Sequence, residues 1–332
     1  MDASAVTPDG PRGTGPAASR AARVRRVLLL VLAAALVGAP VWVLATTGDA
    51  VRHQHVALAV LLGVSLVAGV ALALGTLRGA RRRAPSRVPR WLRVVGGGAG
   101  VVLLVVLVAA VVWLRPFVAT PAALAALGSD DAVEVREEAG WYAFVPRGEV
   151  TTGLVYSPGA RVDVRATAAV LRPLAEAGYL VVALKEPLGI AFTAPGQSAG
   201  AIAAFDDVER WAVGGHSLGG VVAASFADAH QDEVDGLLLH ASYPSTGMSD
   251  ADLLVTSVWG SDDGLTTPDA IAMSHADLPP TTRFVEVPGA VHAFFADYGV
   301  QPGDGVPGTT RADAQSQIVA ASIEALDEVA AP

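Results

Sequence analysis

The stretch Trp211-Ala-Val-Gly-Gly-His-Ser-Leu-Gly-Gly220 decides how this chain is read. Trp211–Gly215 is a short apolar run of the kind that forms a buried strand, and Leu218–His230 carries helical spacing, so Ser217 falls at a strand-to-helix turn. Residues Gly215-His216-Ser217-Leu218-Gly219 also fit the pattern G-x-S-x-G. In a chain with 35 glycines the pattern says little by itself, and its position carries the reading. A serine on such a turn is lifted out of the sheet, and the flanking glycines leave room for the strained backbone that does the lifting. Leu218 opens the helix, so its N–H and the helix dipole point at negative charge developing beside Ser217.

A serine hydroxyl needs a base, and the base needs an orienting acid. Where the nucleophile sits on this kind of turn, both follow it in the order Ser, acid, His. Two strands later comes Val258-Trp-Gly-Ser-Asp-Asp-Gly-Leu-Thr-Thr-Pro268, in which Asp262 and Asp263 both follow a strand end. Asp263 lies three residues past Gly260 and precedes a glycine turn, so it is favoured as the acid, whereas Asp262 fits a solvated loop. After the last strand comes Val287-Pro-Gly-Ala-Val-His-Ala-Phe-Phe295, and His292 is the expected base. The other late histidines fit less well. His216 is bound into the turn and points away, His230 ends a helix, His240 ends a strand before the acid, and His275 precedes the last strand.

Working outward, Ala132–Glu137 and Trp141–Val145 read as two short strands joined at Ala139-Gly140. Strands follow at Thr151–Tyr156, Tyr179–Leu184, Leu237–His240, Leu254–Trp259 and Arg283–Val287. Helices are expected at Val164–Ala177, Ala199–Glu209 and Arg311–Val329. Strands alternating with helices predict an α/β fold with a mostly parallel sheet wrapped on both faces, filling residues 115–332.

This C-terminal part resembles the α/β-hydrolase superfamily, in the compact group similar to dienelactone hydrolases. The resemblance runs from about Gly153 to the final helix. It is carried by Tyr156-Ser-Pro-Gly-Ala160, by Ala177-Gly-Tyr-Leu within Leu174–Val182, by Gly214–Gly220, by Gly260-Ser-Asp-Asp263, by Gly289-Ala-Val-His292 and by Tyr298-Gly-Val-Gln-Pro-Gly-Asp-Gly305. It implies Ser217 as nucleophile, Asp263 as acid, His292 as base, and an oxyanion hole from the backbone N–H groups of Leu218 and Ala160. Ala160 and Val291 stand where the group usually has Gly and either Asn or Gly. The implied chemistry is acyl transfer through Ser217, which calls for no cofactor and no metal.

The first third is a different object. Through Leu114 the chain has 13 Arg and three acids, a net charge of +10; from Arg115 onward it has ten basic and 29 acidic residues, a net charge of −19. Three runs, 27–47, 56–77 and 94–114, carry no charged residue. At about 1.5 Å rise per residue each covers a hydrocarbon core of about 30 Å, so three transmembrane helices are expected over 27–114. Five Arg precede the first run, one (Arg52) lies in Gly48–His55, and seven lie in Arg78–Arg93. Positive loops stay in the cytoplasm, which places the N-terminus inside and the catalytic domain outside. Residues 1–26 are expected as a disordered basic cytoplasmic tail.

Composition narrows the partners. The acidic C-terminal part should repel nucleic acid. Zero Cys excludes disulfides, thiolate-bound metals and a thiol nucleophile. About ten residues separate the strands that end near Ser242 and start near Leu253, too few for a cap domain. The expected function is therefore a membrane-anchored serine hydrolase of the carboxylesterase type with an open site. Its expected partners are a small or extended acyl-ester substrate and the lipid bilayer, with no obligate protein partner. An extracytoplasmic acyltransferase of the same fold and a non-catalytic membrane scaffold or sensor are the alternatives.

Overall fold

The computed structural model describes residues 16–78 and 89–331. Among them, three helices are long and apolar enough to cross a membrane: α1 (Pro16–His53), α2 (Val56–Arg78) and α3 (Arg90–Trp113). The expected tail lies outside the described residues up to residue 15, and the basic loop does so over 79–88. From Pro16 the chain is already helical, so the expectation of disorder through residue 26 is corrected there. Ala17–Arg26 is rich in Ala and Arg, two of the strongest helix formers, which extends the helix beyond its apolar part.

At its other end α1 changes direction at Thr47, which leaves helical geometry at φ −140°, but the helix resumes and runs to His53. The connection between the first two apolar runs is thus only Gln54-His55, rather than the whole of Gly48–His55. Between α1 and α2, Ser65 Oγ donates to the Leu36 carbonyl at 2.8 Å, and a Cβ on Gly69 would come within 2.8 Å of Val37 Cγ2. Gly69 therefore permits close helix approach, whereas Gly63 and Gly75 face open space.

The chain divides into two compact units, Met1–Trp42 with Leu62–Trp113, and Val43–Leu61 with Leu114–Pro332. The second unit thus takes in the junction of α1 and α2 as well as the expected domain 115–332. After the short helix α4 (Pro121–Ala125), it is built from β1 (Val133–Glu137), β2 (Trp141–Pro146), β3 (Thr152–Ser157), α5 (Ala168–Glu176), β4 (Leu180–Leu184) and α6 (Gln197–Ile202). It continues with β5 (Arg210–His216), α7 (Leu218–Ala229), β6 (Gly236–His240), β7 (Leu254–Gly260), α8 (Pro268–Ser274), β8 (Arg283–Val287) and α9 (Arg311–Ala330).

The strands form one eight-stranded sheet in the order β1-β2-β4-β3-β5-β6-β7-β8. Pairing is antiparallel at β1–β2 and β2–β4 and parallel from β4 through β8. The parallel strands are buried on both faces, which is why β3, β4 and β6 read as near-continuous apolar runs. Alternate side chains feed two cores. Leu154, Tyr156 and Leu238 pack with Leu171 and Leu174 of α5 and Ile318 and Leu326 of α9. Val155, Leu237 and Leu239 pack with Ala223 and Phe226 of α7 and Ala201 of α6.

Two helices are shorter than expected. Val164–Thr167 is a 3₁₀ turn capped by the Asp163 side chain, and the α-helix proper starts at Ala168. The expected helix Ala199–Glu209 ends at Ile202; Phe205 and Val208 then close successive turns onto the Ile202 and Phe205 carbonyls, and Glu209 and Arg210 donate to the Thr151 carbonyl at the start of β5.

Candidate active site

Ser217 sits between β5 and α7 at φ 53° and ψ −124°, a conformation that a side chain adopts only when its surroundings impose it. The surroundings do so from β6: Ser217 N–H donates to the His240 carbonyl at 3.0 Å, and Ser242 Oγ donates to the Ser217 carbonyl at 2.7 Å. The glycines are needed for contact as well as for strain. A Cβ on Gly215 would stand 2.5 Å from the Gly219 carbonyl carbon, one on Gly220 would stand 2.5 Å from Ser242 Oγ, and one on Gly219 would collide with the Ser157 carbonyl. Leu218 is the first residue of α7, so its N–H has no acceptor within the helix.

Asp263 and His292 come together from the ends of β7 and β8. Both are buried, and His292 Nδ1 lies 2.9 Å from Asp263 Oδ2. Asp263 Oδ1 accepts the Leu265 and Thr266 amides at 2.8 and 2.7 Å, which fixes the carboxylate plane. With Nδ1 engaged by the carboxylate, Nε2 is the ring nitrogen left available as an acceptor. Asp262 is placed elsewhere. It accepts from Ser261 Oγ at 3.2 Å and its carboxylate lies against Gly308.

The His292 ring centroid is 4.5 Å from that of His216, the residue before Ser217, so the imidazole stands beside the turn. No hydrogen bond joins Ser217 Oγ to His292 among the described residues. His216 is closer to the site than the sequence suggested. Its ring is buried against His292 and Phe295, with neither nitrogen partnered. Burial first, then the neighbouring His292 and His240, hold its pKa well below the usual value, so it stays neutral. His240 lies underneath, hydrogen-bonded to Tyr156 Oη and Ser322 Oγ at 2.9 Å each, and burial pushes its pKa down to about 3.

Two contributors escaped the sequence reading. Asp304 holds both site loops at once: its carboxylate accepts the amides of His292 (3.0 Å), Ala293 (2.9 Å), Gly264 (3.3 Å) and Gly305 (2.8 Å). Its stretch, Tyr298–Gly305, is one of the marks of the resemblance, but nothing in the sequence gives Asp304 this role. Glu186, two residues past β4, is 4% exposed, and burial raises its pKa to about 8, with a hydrogen bond from Ser157 opposing.

Ala160 lies in a tight turn after β3, closed by Val162 N–H donating to the Gly159 carbonyl at 3.0 Å. Among the described residues no group of His, Asp and Glu has the arrangement of a metal site. A cavity of about 900 Å³ bordered by Val51, His55, Trp141, Lys185 and Gln197 contains none of Ser217, Asp263 and His292.

Residues 153–317 match the model of the alpha/beta hydrolase family. The C-terminal part of the chain has the alpha/beta hydrolase fold. A solved structure described as a predicted CIB-like hydrolase from Thermoplasma acidophilum aligns with this chain at 17% identity, with a TM-score of 0.43, over 59% of this chain and 100% of its own. Among curated proteins, none matches this chain. The hydrolase domain's strand order brings the ends of β5, β7 and β8 to one edge of the sheet, where Ser217, Asp263 and His292 lie.

Proposed function

We propose that this protein is a membrane-anchored serine hydrolase that cleaves carboxylic esters or thioesters with Ser217 as nucleophile, His292 as base and Asp263 as orienting acid. The observation that carries the reading is the coincidence of a strained Ser217 on the β5–α7 turn with a buried Asp263–His292 pair beside it. His292 Nε2 takes the Ser217 proton as Oγ attacks the substrate carbonyl carbon. The resulting oxyanion is met by the N–H groups of Leu218 and Ala160. The imidazolium, stabilised by Asp263, gives the proton to the departing alkoxide or thiolate, leaving an acyl-serine. Water then adds by the same route in reverse, and the acid leaves as Ser217 recovers its proton.

The β6–β7 connection, residues 241–253, is too short to hold a cap domain, which favours small or extended acyl groups. The three apolar helices support an anchor, and the Arg-rich flanks support a hydrolase domain on the outer face of the membrane.

The test is turnover of p-nitrophenyl acetate by the full-length protein in detergent. Ser217→Ala should lower kcat by at least about 10³-fold without changing the unfolding temperature. Turnover at the parent rate would remove Ser217 from the mechanism.

A further inference from the structure

The turn that carries Ala160 is braced by a part of the chain more than 100 residues earlier. Val43–Leu61, the junction of α1 and α2, belongs to the same compact unit as residues 114–332. Gln54, between the two helices, is 8% exposed and donates from Nε2 to the Val162 carbonyl at 3.2 Å. Its Oε1 lies 3.7 Å from where a Cβ of Gly189 would stand. Gly189, at φ +66°, in turn accepts the Arg161 amide at 2.7 Å. Five residues before Gln54, Asp49 Oδ2 takes Arg165 Nη1 at 2.7 Å. Arg165 is itself buried and forks onto the fully buried Asp163 through Nε and Nη2, at 3.0 and 2.8 Å.

These contacts constrain the segment from both ends. The amides of Arg161, Val162 and Asp163 are all engaged, by Gly189, Gly159 and Phe117. The Ala160 amide, among the described residues, has no acceptor. Arg161 is held at φ +64°, a conformation that a non-glycine residue keeps only when its neighbours impose it. Gln54 supplies the hydrogen bond that a buried Val162 carbonyl needs, and Asp49 takes Arg165 Nη1, the guanidinium nitrogen that Asp163 leaves unbonded.

We propose that Gln54 and Asp49 are positioning residues for the reaction, and that the junction of the first two apolar helices sets the place of the Ala160 N–H as an oxyanion donor. The proposal rests on the serine-hydrolase reading above. A donor stabilises the tetrahedral intermediate only within about 2.7–3.1 Å of the oxygen, and a misplacement of about 1 Å costs on the order of 10²-fold in rate. The α1–α2 junction, Val43–Leu61, then helps to complete the active site.

The test uses full-length protein in detergent, with active sites counted by fluorophosphonate titration so that unfolded molecules drop out. Gln54→Met keeps the volume and loses the donor. It should lower kcat for p-nitrophenyl acetate per titrated site by about 10- to 100-fold with KM within about twofold of the parent. Affinity for a trifluoromethyl ketone, which forms the tetrahedral adduct, should fall by the same factor, and Gln54→Lys, which restores a donor, should recover part of both. An unchanged kcat per titrated site overturns the proposal, however far the yield falls. So does a loss of kcat without matching loss of ketone affinity. A parent protein without turnover, or an active Ser217→Ala, would instead remove the serine-hydrolase reading, and this proposal with it.

Discussion

Asp263 gives one oxygen to two backbone amides and the other to His292, whereas Asp262 bonds the neighbouring Ser261 and faces the Gly308 backbone. Two adjacent acids should therefore respond differently to the same change. Asp263→Asn offers His292 an amide, which favours the imidazole tautomer with the proton on Nε2, unable to accept from Ser217. The expected loss in kcat is on the order of 10⁴-fold, with Asp262→Asn within about threefold of the parent, and steady-state ester hydrolysis measures both. The reverse order would move the acid to Asp262. Glu186 makes a separate prediction, on stability. Its folded pKa of about 8 lies above the unstructured value of 4.5, so between those limits the folded state holds a proton that the unfolded state has released. Stability from this group is complete below pH 4.5 and is lost as pH rises toward 8. His216 and His240 act in the opposite sense, their folded pKa values lying below 6.5, so stability from them is lost as pH falls below that value. From 6.5 to 8 the Glu186 effect stands apart, with a slope approaching about 1.4 kcal/mol per pH unit. Thermal unfolding across that window should show a falling Tm in the parent and a flatter one in Glu186→Gln; parallel curves would mean that Glu186 is ionised in the folded state.

Elements whose role is set by local pattern were legible, and those set by distant contacts were not. The strands β3 through β8 announce themselves as short apolar runs with glycine or proline at their ends, and the Ser217 turn by its glycines, because burial and backbone strain leave marks at single positions. The α1 extension through His53 was unreadable, since Gly48, Asp49, Arg52 and His53 look like a polar loop. The Arg165 and Glu137 side chains that meet Asp49 and His53 come from far along the chain. The bracing role of Asp304, in a stretch that the resemblance did mark, was unreadable for the same reason. A Gly-Asp-Gly loop has no period, and the amides that it gathers lie 40 residues away at Gly264 and 12 away at His292. The closing helix α9 was legible from its amphipathic spacing, and it carries a packing prediction. Ile318 is fully buried between α9 and the core formed with Leu171, Leu174 and Leu238. Ile318→Ala should cost about 2–5 kcal/mol in denaturant unfolding while leaving kcat per titrated site unchanged. A cost under about 1 kcal/mol would mean that α9 is not docked on the sheet as described.

At the scale of the whole molecule, the proposal that the hydrolase domain lies on the outer side of the membrane has two supports. The first is charge: five Arg before the first apolar run and seven in 78–93 flank one side of the spans, against Arg52 alone on the other. The net charge of −19 beyond Leu114 neither opposes nor assists, since long domains translocate largely regardless of their charge. The second is parity. Gln54 and Asp49 at the junction of α1 and α2 bond Val162 and Arg165 of the hydrolase domain, so junction and domain share a side. If α2 crosses the membrane, the chain passes to the side opposite the junction, and only a third crossing by α3 returns it. If the glycine-rich start of α3 failed to insert, the domain would stay with the basic loop and these bonds could not form. This placement supports three crossings, with the domain outside if the basic loop is inside. The chain's lack of cysteine makes the test clean. A cysteine introduced by Val300→Cys, at a site 90% exposed on the hydrolase domain, should react with a membrane-impermeant maleimide on intact spheroplasts. One introduced by Ser86→Cys in the basic loop should react only after permeabilisation. Labelling in the reverse order would place the domain in the cytoplasm and remove any substrate on the outer face from its reach.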